Sequence, residues 1–328
     1  SFFTLFKNTV EEMVGTTGKP VIILAHSMGN KVTHYFLQYI LYTLSDGMQW
    51  IFRHIHLYFA LGAPWLGAPK AVRGLCVGDK MGLDAFISTE EALKMSRRMG
   101  STAWLFPELP ELHFKDPNQN FAMIKENGVL ESKEIDEILK EAGAEGVWNC
   151  YETYYQHDPQ CGKGKTLTAP PVPWLLCVYG INIDTEIGFI ATRKPQKGSN
   201  LSADKTALHD TFLCKGGILY ETSESEQKIL EDYSPEEDPH RSGDGTVPYA
   251  SLRYAECWKQ SGFNVDIVEI PDAGHREILE HPQFLQILEN CAIGKKNPEK
   301  TINLVDESVP SYLQGLSFTQ LGPNLSTK

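Results

Sequence analysis
The stretch that most constrains this chain is Val21-Ile22-Ile23-Leu24-Ala25-His26-Ser27-Met28-Gly29-Asn30-Lys31-Val32. An apolar run of strand length, rich in β-branched residues, leads without a break to a serine. Small residues stand two positions before it (Ala25) and two after (Gly29). A helical pattern begins at once, with Val32, Phe36, Leu37, Ile40, Leu41 and Leu44 on one face. Strand, sharp turn and helix around a central serine is the layout of a nucleophile elbow. Neighbouring backbone crowds such a turn, which is why small residues flank it; here Ala25 stands where glycine is usual. The turn lifts the Ser27 hydroxyl above the sheet and aims the first amides of the new helix at it. The amide of Met28 is therefore the candidate oxyanion donor.

Further apolar runs at 55–61, 174–179 and 265–270 read as strands covered on both faces, as in a parallel sheet. A second amphipathic helix is expected over 276–290, carrying Ile278, Leu279, Phe284, Leu285 and Leu288. Alternating strands and helices imply a doubly wound α/β sheet. Two excursions interrupt the alternation. The first, 67–173, holds helical segments at 90–99 and 132–142 and the stretch Trp104-Leu105-Phe106-Pro107, and sits where a cap or lid would cover the strand ends. The second, 181–243, contains 186–192 and 217–221, which read as a short hairpin. The expected organisation is a first core part over 1–66, a cap or lid insertion over 67–173, and a second core part with the hairpin excursion over 174–294. A polar tail over 295–328 is expected to be poorly ordered. The chain starts without Met inside a helical pattern and so reads as a fragment of a longer polypeptide.

Several classes are excluded. A net charge of −12 argues against a nucleic-acid partner, which needs a basic surface. Much of the acidity lies in 221–238, which reads as a solvated loop. No apolar run reaches the roughly eighteen residues of a membrane-spanning helix. The seven cysteines form no CxxC pair, so no zinc site is expected. Cys177 lies in a strand pattern and reads as core, while Cys150 and Cys161 bracket a polar loop and are the one pair suspected of bonding. Asn200-Leu201-Ser202 and Asn324-Leu325-Ser326 are glycosylation sequons.

A nucleophilic hydroxyl needs a base, and the base needs an orienting carboxylate, in the order Ser, Asp or Glu, His for such a sheet. In Ser242-Gly243-Asp244-Gly245-Thr246-Val247-Pro248 an aspartate is pinned between two glycines. Asp184, just after the strand at 174–179, competes; Asp238 and Asp272 compete less well. His275, in the loop after the last strand, can reach across the top of the sheet to Ser27. His54 and His56 sit at the start of a strand and hence at the wrong edge. His26 and His34 are tied locally to the elbow, and His281 reads as helical.

With the elbow, Gly62-Ala63-Pro64-Trp65-Leu66-Gly67-Ala68-Pro69-Lys70-Ala71-Val72, Ser101-Thr102-Ala103-Trp104-Leu105-Phe106-Pro107 and Gly243-Asp244-Gly245-Thr246-Val247-Pro248, the chain resembles the lecithin–cholesterol acyltransferase family over about 21–288. That family includes phospholipid:diacylglycerol and phospholipid:sterol acyltransferases and phospholipases A. The resemblance implies an α/β-hydrolase fold with a cap or lid insertion, and Ser27, Asp244 and His275 as catalytic triad. It makes Asp244 the acid rather than Asp184. It also implies that strands, a membrane-contacting subdomain and a second oxyanion donor normally precede the elbow, so this chain is expected to lack N-terminal strands and expose a sheet edge. The implied partners are a phospholipid acyl donor, a sterol, diacylglycerol or water as acceptor, and a lipid surface. The implied location is the endoplasmic reticulum, another membrane or the secretory pathway, and no metal or organic cofactor is implied. Trp65 and Leu66 are candidates for lining the acyl groove, with core packing as the alternative. A soluble esterase or lipid-anchor deacylase, and a catalytically dead lipid-binding scaffold, are the rival readings.

Overall fold
The computed structural model describes residues 1–108, 119–156, 167–222 and 241–293. The acidic run, Cys161 and the tail with its sequon at Asn324 fall wholly or largely outside these residues, and with them the expectations made there. The strands are β1 (Val21–His26), β2 (Ile55–Leu61), β3 (Ala122–Glu126), β4 (Val129–Lys133), β5 (Leu175–Ile181), β6 (Thr185–Thr192), β7 (Ser202–Ala203), β8 (Leu213–Lys215), β9 (Ile218–Glu221) and β10 (Val265–Pro271). The α-helices are α1 (Phe2–Thr17), α2 (Gly29–Thr43), α3 (Gly47–His54), α4 (Pro69–Cys76), α5 (Thr89–Arg98), α6 (Ile135–Glu141), α7 (Glu145–Tyr154), α8 (Tyr249–Leu252), α9 (Ala255–Gln260) and α10 (Pro282–Ala292). The fold is mixed α/β.

Its first sheet has four strands in the order β1-β2-β5-β10, and every pairing in it is parallel. The two middle strands, β2 and β5, are covered on both faces and so carry nearly unbroken apolar runs, whereas the outer strands β1 and β10 are partly exposed and β10 carries Asp266 and Glu269. Ile23, Ala25, Tyr58, Ala60, Leu175 and Cys177 pack with Phe36, Leu37 and Ile40 of α2 and Ile51 of α3. The alternate residues Leu57, Phe59, Leu61, Leu176 and Val178 pack with Phe284 and Ile287 of α10. β1 is an edge strand among the described residues, and Leu24 on it is 42% exposed.

A second sheet runs β4-β3-β6-β9-β8, with β7 beside β6. It draws β3 and β4 from the first excursion and β6 to β9 from the second, joined by the parallel pairing of β3 with β6. Two expectations change here. The segment 132–142 is the end of β4 followed by the shorter helix α6. The stretches 186–192 and 217–221 do pair antiparallel, as β6 with β9, but in the middle of this larger sheet; the tight hairpin is β8–β9. α4, α6 and α7 cover one face through Val72, Leu75, Ile138, Leu139 and Tyr151. Arg73 of α4 ties the layers together. Its Nε donates to Glu186 of β6 at 2.6 Å, and its guanidinium also grips Asp79.

The expected helix at 276–290 is split. A 3₁₀ turn covers Glu277–Glu280, and α10 starts at Pro282 with His281 as its N-cap. Proline is tolerated at a first helical position and disfavours a helix running through it.

Candidate active site
The parallel sheet sends the ends of β1, β2, β5 and β10 to one edge, and the residues that follow them meet there. Ser27 leaves β1 with φ +55°, a left-handed backbone that a non-glycine residue adopts only when its surroundings hold it. Three groups do so. The Ser27 amide donates to Leu61 O at 3.0 Å. The Asn30 side-chain amide donates to Ser27 O at 2.9 Å and to Leu61 O at 3.1 Å. Tyr58 in turn donates to Asn30 at 3.0 Å. Asn30 is fully buried, and its clamp on the elbow escaped the sequence reading; an asparagine in the first turn of an apolar helix was the available signal.

Asp244 sits in a turn whose geometry needs its glycines. A Cβ on Gly243 would stand 2.3 Å from Val247 O, and Gly245 has φ +83°. The Asp244 Oδ1 accepts from the amides of Thr246 at 3.0 Å and Val247 at 2.8 Å. The other oxygen, Oδ2, lies 2.6 Å from His275 Nδ1. Carboxylate oxygen only accepts, so Nδ1 carries the proton and Nε2 is left as acceptor. Nε2 faces Ser27 Oγ at 2.9 Å. The His275 amide also donates to Asp244 O at 2.8 Å, so backbone and ring are both fixed to the aspartate loop. Serine, histidine and aspartate thus form a continuous hydrogen-bonded relay, with Asp244 and His275 buried.

The other sequence candidates lie elsewhere. Asp184 is exposed on the turn between β5 and β6, and Asp272 is exposed beside the histidine loop. Trp65 is 1% exposed and packs edge-on against Trp258 at 4.9 Å, and Leu66 is 5% exposed. The loop after β2 turns inward through Gly62 and Gly67, both at positive φ, and so carries Trp65 into the core. The alternative of core packing is the one realised: neither side chain lines the groove at Ser27 among the described residues. Met28, at the N-cap of α2, does line it. His34 is fully buried, and burial holds its pKa down to about 3.

The groove over the relay has a volume of about 780 Å³, within the usual range for small-molecule sites. Met81, Met99, Leu105 and Ile183 give it apolar wall, and Lys70 and Arg276 bring positive charge. Lys70 stands 3.7 Å from Asp79. Burial would raise the Asp79 carboxyl, but the charges of Arg73 and Lys70 outweigh it and hold it below the usual range. Among the described residues no group of three or more His, Cys, Asp or Glu is arranged to hold a metal ion, and no helix is long and apolar enough to cross a membrane.

Fold and site together define a mixed α/β protein that presents a Ser–His–Asp relay at the carboxyl edge of a parallel sheet. A family model described as Lecithin:cholesterol acyltransferase matches residues 1–140. The chain is 23% identical over 381 residues to a phospholipid–sterol O-acyltransferase of Arabidopsis thaliana, covering 94% of this chain and 57% of that protein. To the lysosomal phospholipase A and acyltransferase of Bos taurus it is 30% identical over 299 residues, covering 89% and 59%. To the phospholipid:diacylglycerol acyltransferase of Saccharomyces cerevisiae it is 22% identical over 330 residues, covering 82% and 46%. The chain therefore spans about half the length of these curated relatives. A solved chain from "The crystal structure of Tle4-Tli4 complex" covers 91% of this chain and 64% of its own, at a TM-score of 0.46 and 12% identity, too slight a likeness to argue from. The resemblance read from the sequence is borne out: the chain is related to the lecithin:cholesterol acyltransferase family of phospholipid acyltransferases and phospholipases.

Proposed function
We propose that this chain carries the catalytic centre of a serine-dependent phospholipid acyltransferase. The observation that carries the reading is His275, bonded to Ser27 Oγ at 2.9 Å and to Asp244 at 2.6 Å on the floor of a groove with apolar walls. Ser27 Oγ gives its proton to His275 Nε2 and attacks the ester carbonyl carbon of a phospholipid. The carbon–oxygen bond to the lysophospholipid breaks, and the leaving oxygen takes the proton from His275. In the second step the hydroxyl of a sterol, a diacylglycerol or water gives its proton to His275 while its oxygen attacks the acyl-serine. Ser27 leaves and recovers the proton. Asp244 holds the imidazole in the tautomer that accepts from serine and offsets its positive charge. The Met28 amide, at the start of α2, stabilises the developing oxyanion.

In this reading the parallel sheet and its helices form the core of an α/β-hydrolase fold. The second sheet with α4 to α7 forms the cap, which meets a lipid surface and admits one acyl chain between Met81, Met99 and Leu105. The names of the relatives supply the acyl donors and acceptors considered.

The test is labelling with a fluorophosphonate probe, together with product analysis from acyl-labelled phosphatidylcholine with and without sterol or diacylglycerol. Labelling is expected in the parent and absent in Ser27→Ala, whose acyl transfer should fall by about 10⁴-fold or more at unchanged circular dichroism. His275→Ala should be as severe and Asp244→Asn somewhat milder. Fatty acid release by Ser27→Ala at the parent rate refutes the acyl-serine. Free fatty acid as sole product, whatever acceptor is supplied, assigns the chain to phospholipase chemistry instead.

A further inference from the structure
His26 lies in the groove but has no part in the proton relay. Its ring stands 4.9 Å from that of His275, and its Nε2 lies 2.8 Å from the His275 carbonyl oxygen. A carbonyl can only accept, so His26 Nε2 carries the hydrogen and donates it. His275 sits in the loop after β10, outside regular secondary structure, where a backbone has no ladder to hold it. Its amide is held by Asp244 O at 2.8 Å, and its carbonyl is held by His26. The backbone of the base is thereby clamped on both sides, once from the acid's loop and once from the residue that precedes the nucleophile. Since His26 ends β1, its bond ties the serine's strand directly to the histidine's loop across 249 positions of sequence.

We propose that His26 is a positioning residue that holds the His275 loop against Ser27 by donating to the His275 carbonyl. The proposal rests on the acyl-transfer reading for its kinetic consequence, but not for its geometry. The charged and titratable groups that face His26 are His275, Asp244 and Arg276. Burial lowers the pKa of His26, against the bond to the His275 carbonyl. A neutral donor suits the place, because a second positive charge 4.9 Å from His275 would oppose the imidazolium that forms when serine is deprotonated.

Two variants separate the bond from the packing. His26→Phe keeps a ring beside His275 without a donor, and His26→Gln keeps an N–H donor without the ring. His26→Phe is expected to lower kcat about 10- to 100-fold with KM within about twofold, and His26→Gln to stay within about threefold of the parent. Proton NMR supplies a readout independent of turnover. The slowly exchanging His275 Nδ1–H, shared with Asp244, should persist in the parent and in His26→Gln and broaden or vanish in His26→Phe. Parent-like kcat and resonance in His26→Phe overturn the proposal, and so does equal damage in both variants. If the parent resists the fluorophosphonate and transfers no acyl group, while the resonance still follows this order, the positioning role stands and the assigned reaction fails.

Discussion
Replacing Gly62 by alanine probes how closely the fold packs around the His275–Asp244 pair. Gly62 directly follows β2 at φ +53°, and its amide donates to Val178 O at 2.9 Å. A Cβ there would stand 3.3 Å from both Cε1 and Nδ1 of His275, and 3.5 Å from Asp244 Oδ2. The first two contacts are a few tenths of an ångström too close, so the ring has to shift on the side where Asp244 holds it at 2.6 Å. Left-handed backbone costs alanine about 1 kcal/mol or somewhat more. Gly18, at the C-cap of α1, has φ +67° and nothing within 4 Å of its Cβ, so Gly18→Ala carries the backbone cost alone. Gly18→Ala should lose about 1 kcal/mol in denaturant unfolding, and Gly62→Ala at least as much. Gly62→Ala alone should also lose kcat by about tenfold or more at nearly constant KM. That corresponds to about 1.4 kcal/mol of transition-state stabilisation, the scale expected when a catalytic base is displaced. The assay is release of labelled fatty acid from phosphatidylcholine, read beside the unfolding curve. If Gly62→Ala keeps as much activity as Gly18→Ala, the close packing argued for the relay is wrong.

Glu186→Gln removes one partner of a buried ion pair and should destabilise the protein by on the order of 3 kcal/mol, since Arg73 keeps Asp79 as a second partner; a loss within experimental error in urea unfolding would show that Asp79 suffices. Burial raises the Glu108 carboxyl from 4.5 to about 7, against the positive charge of Lys31. Between those values the native state binds more protons than the unfolded one, so stability should rise as pH falls through that window. Glu108→Gln should flatten the slope, and an unchanged pH profile of the unfolding midpoint would contradict this.

Much of the core was legible because the signals were local. β2 and β5 stood out since burial on both faces demands apolar residues at consecutive positions, and the outer strands β1 and β10 keep enough of that pattern to be read beside them. Of the second sheet only the stretches 186–192 and 217–221 were read as strands; β3 and β4 were not, although Asn127 at φ +49° and Gly128 at φ +83° form the kind of turn an Asn-Gly pair favours between them. The charged residues over 132–142 resembled one helix, and only pairing with β3, itself joined to the distant β6, sets the start of that segment as strand. Trp65 was ambiguous for a related reason. A loop after a strand can point into a groove or into the core, and packing against Trp258 decides it.

What the sequence by itself determined is the elbow: strand, Ser27 and α2 are consecutive, and short-range sterics with helical periodicity suffice to specify them. Which residues surround the serine was a matter for the tertiary structure. Asp244 and Asp184 both follow plausible local patterns, and the choice shows in a bond between residues 31 positions apart, His275 with Asp244. The bonds from the histidine loop to Ser27 and His26 span 248 and 249 positions. Propensity and capping act over a few residues, whereas these contacts exist because four parallel strands stack in the order β1-β2-β5-β10 and deliver their carboxyl ends to one edge.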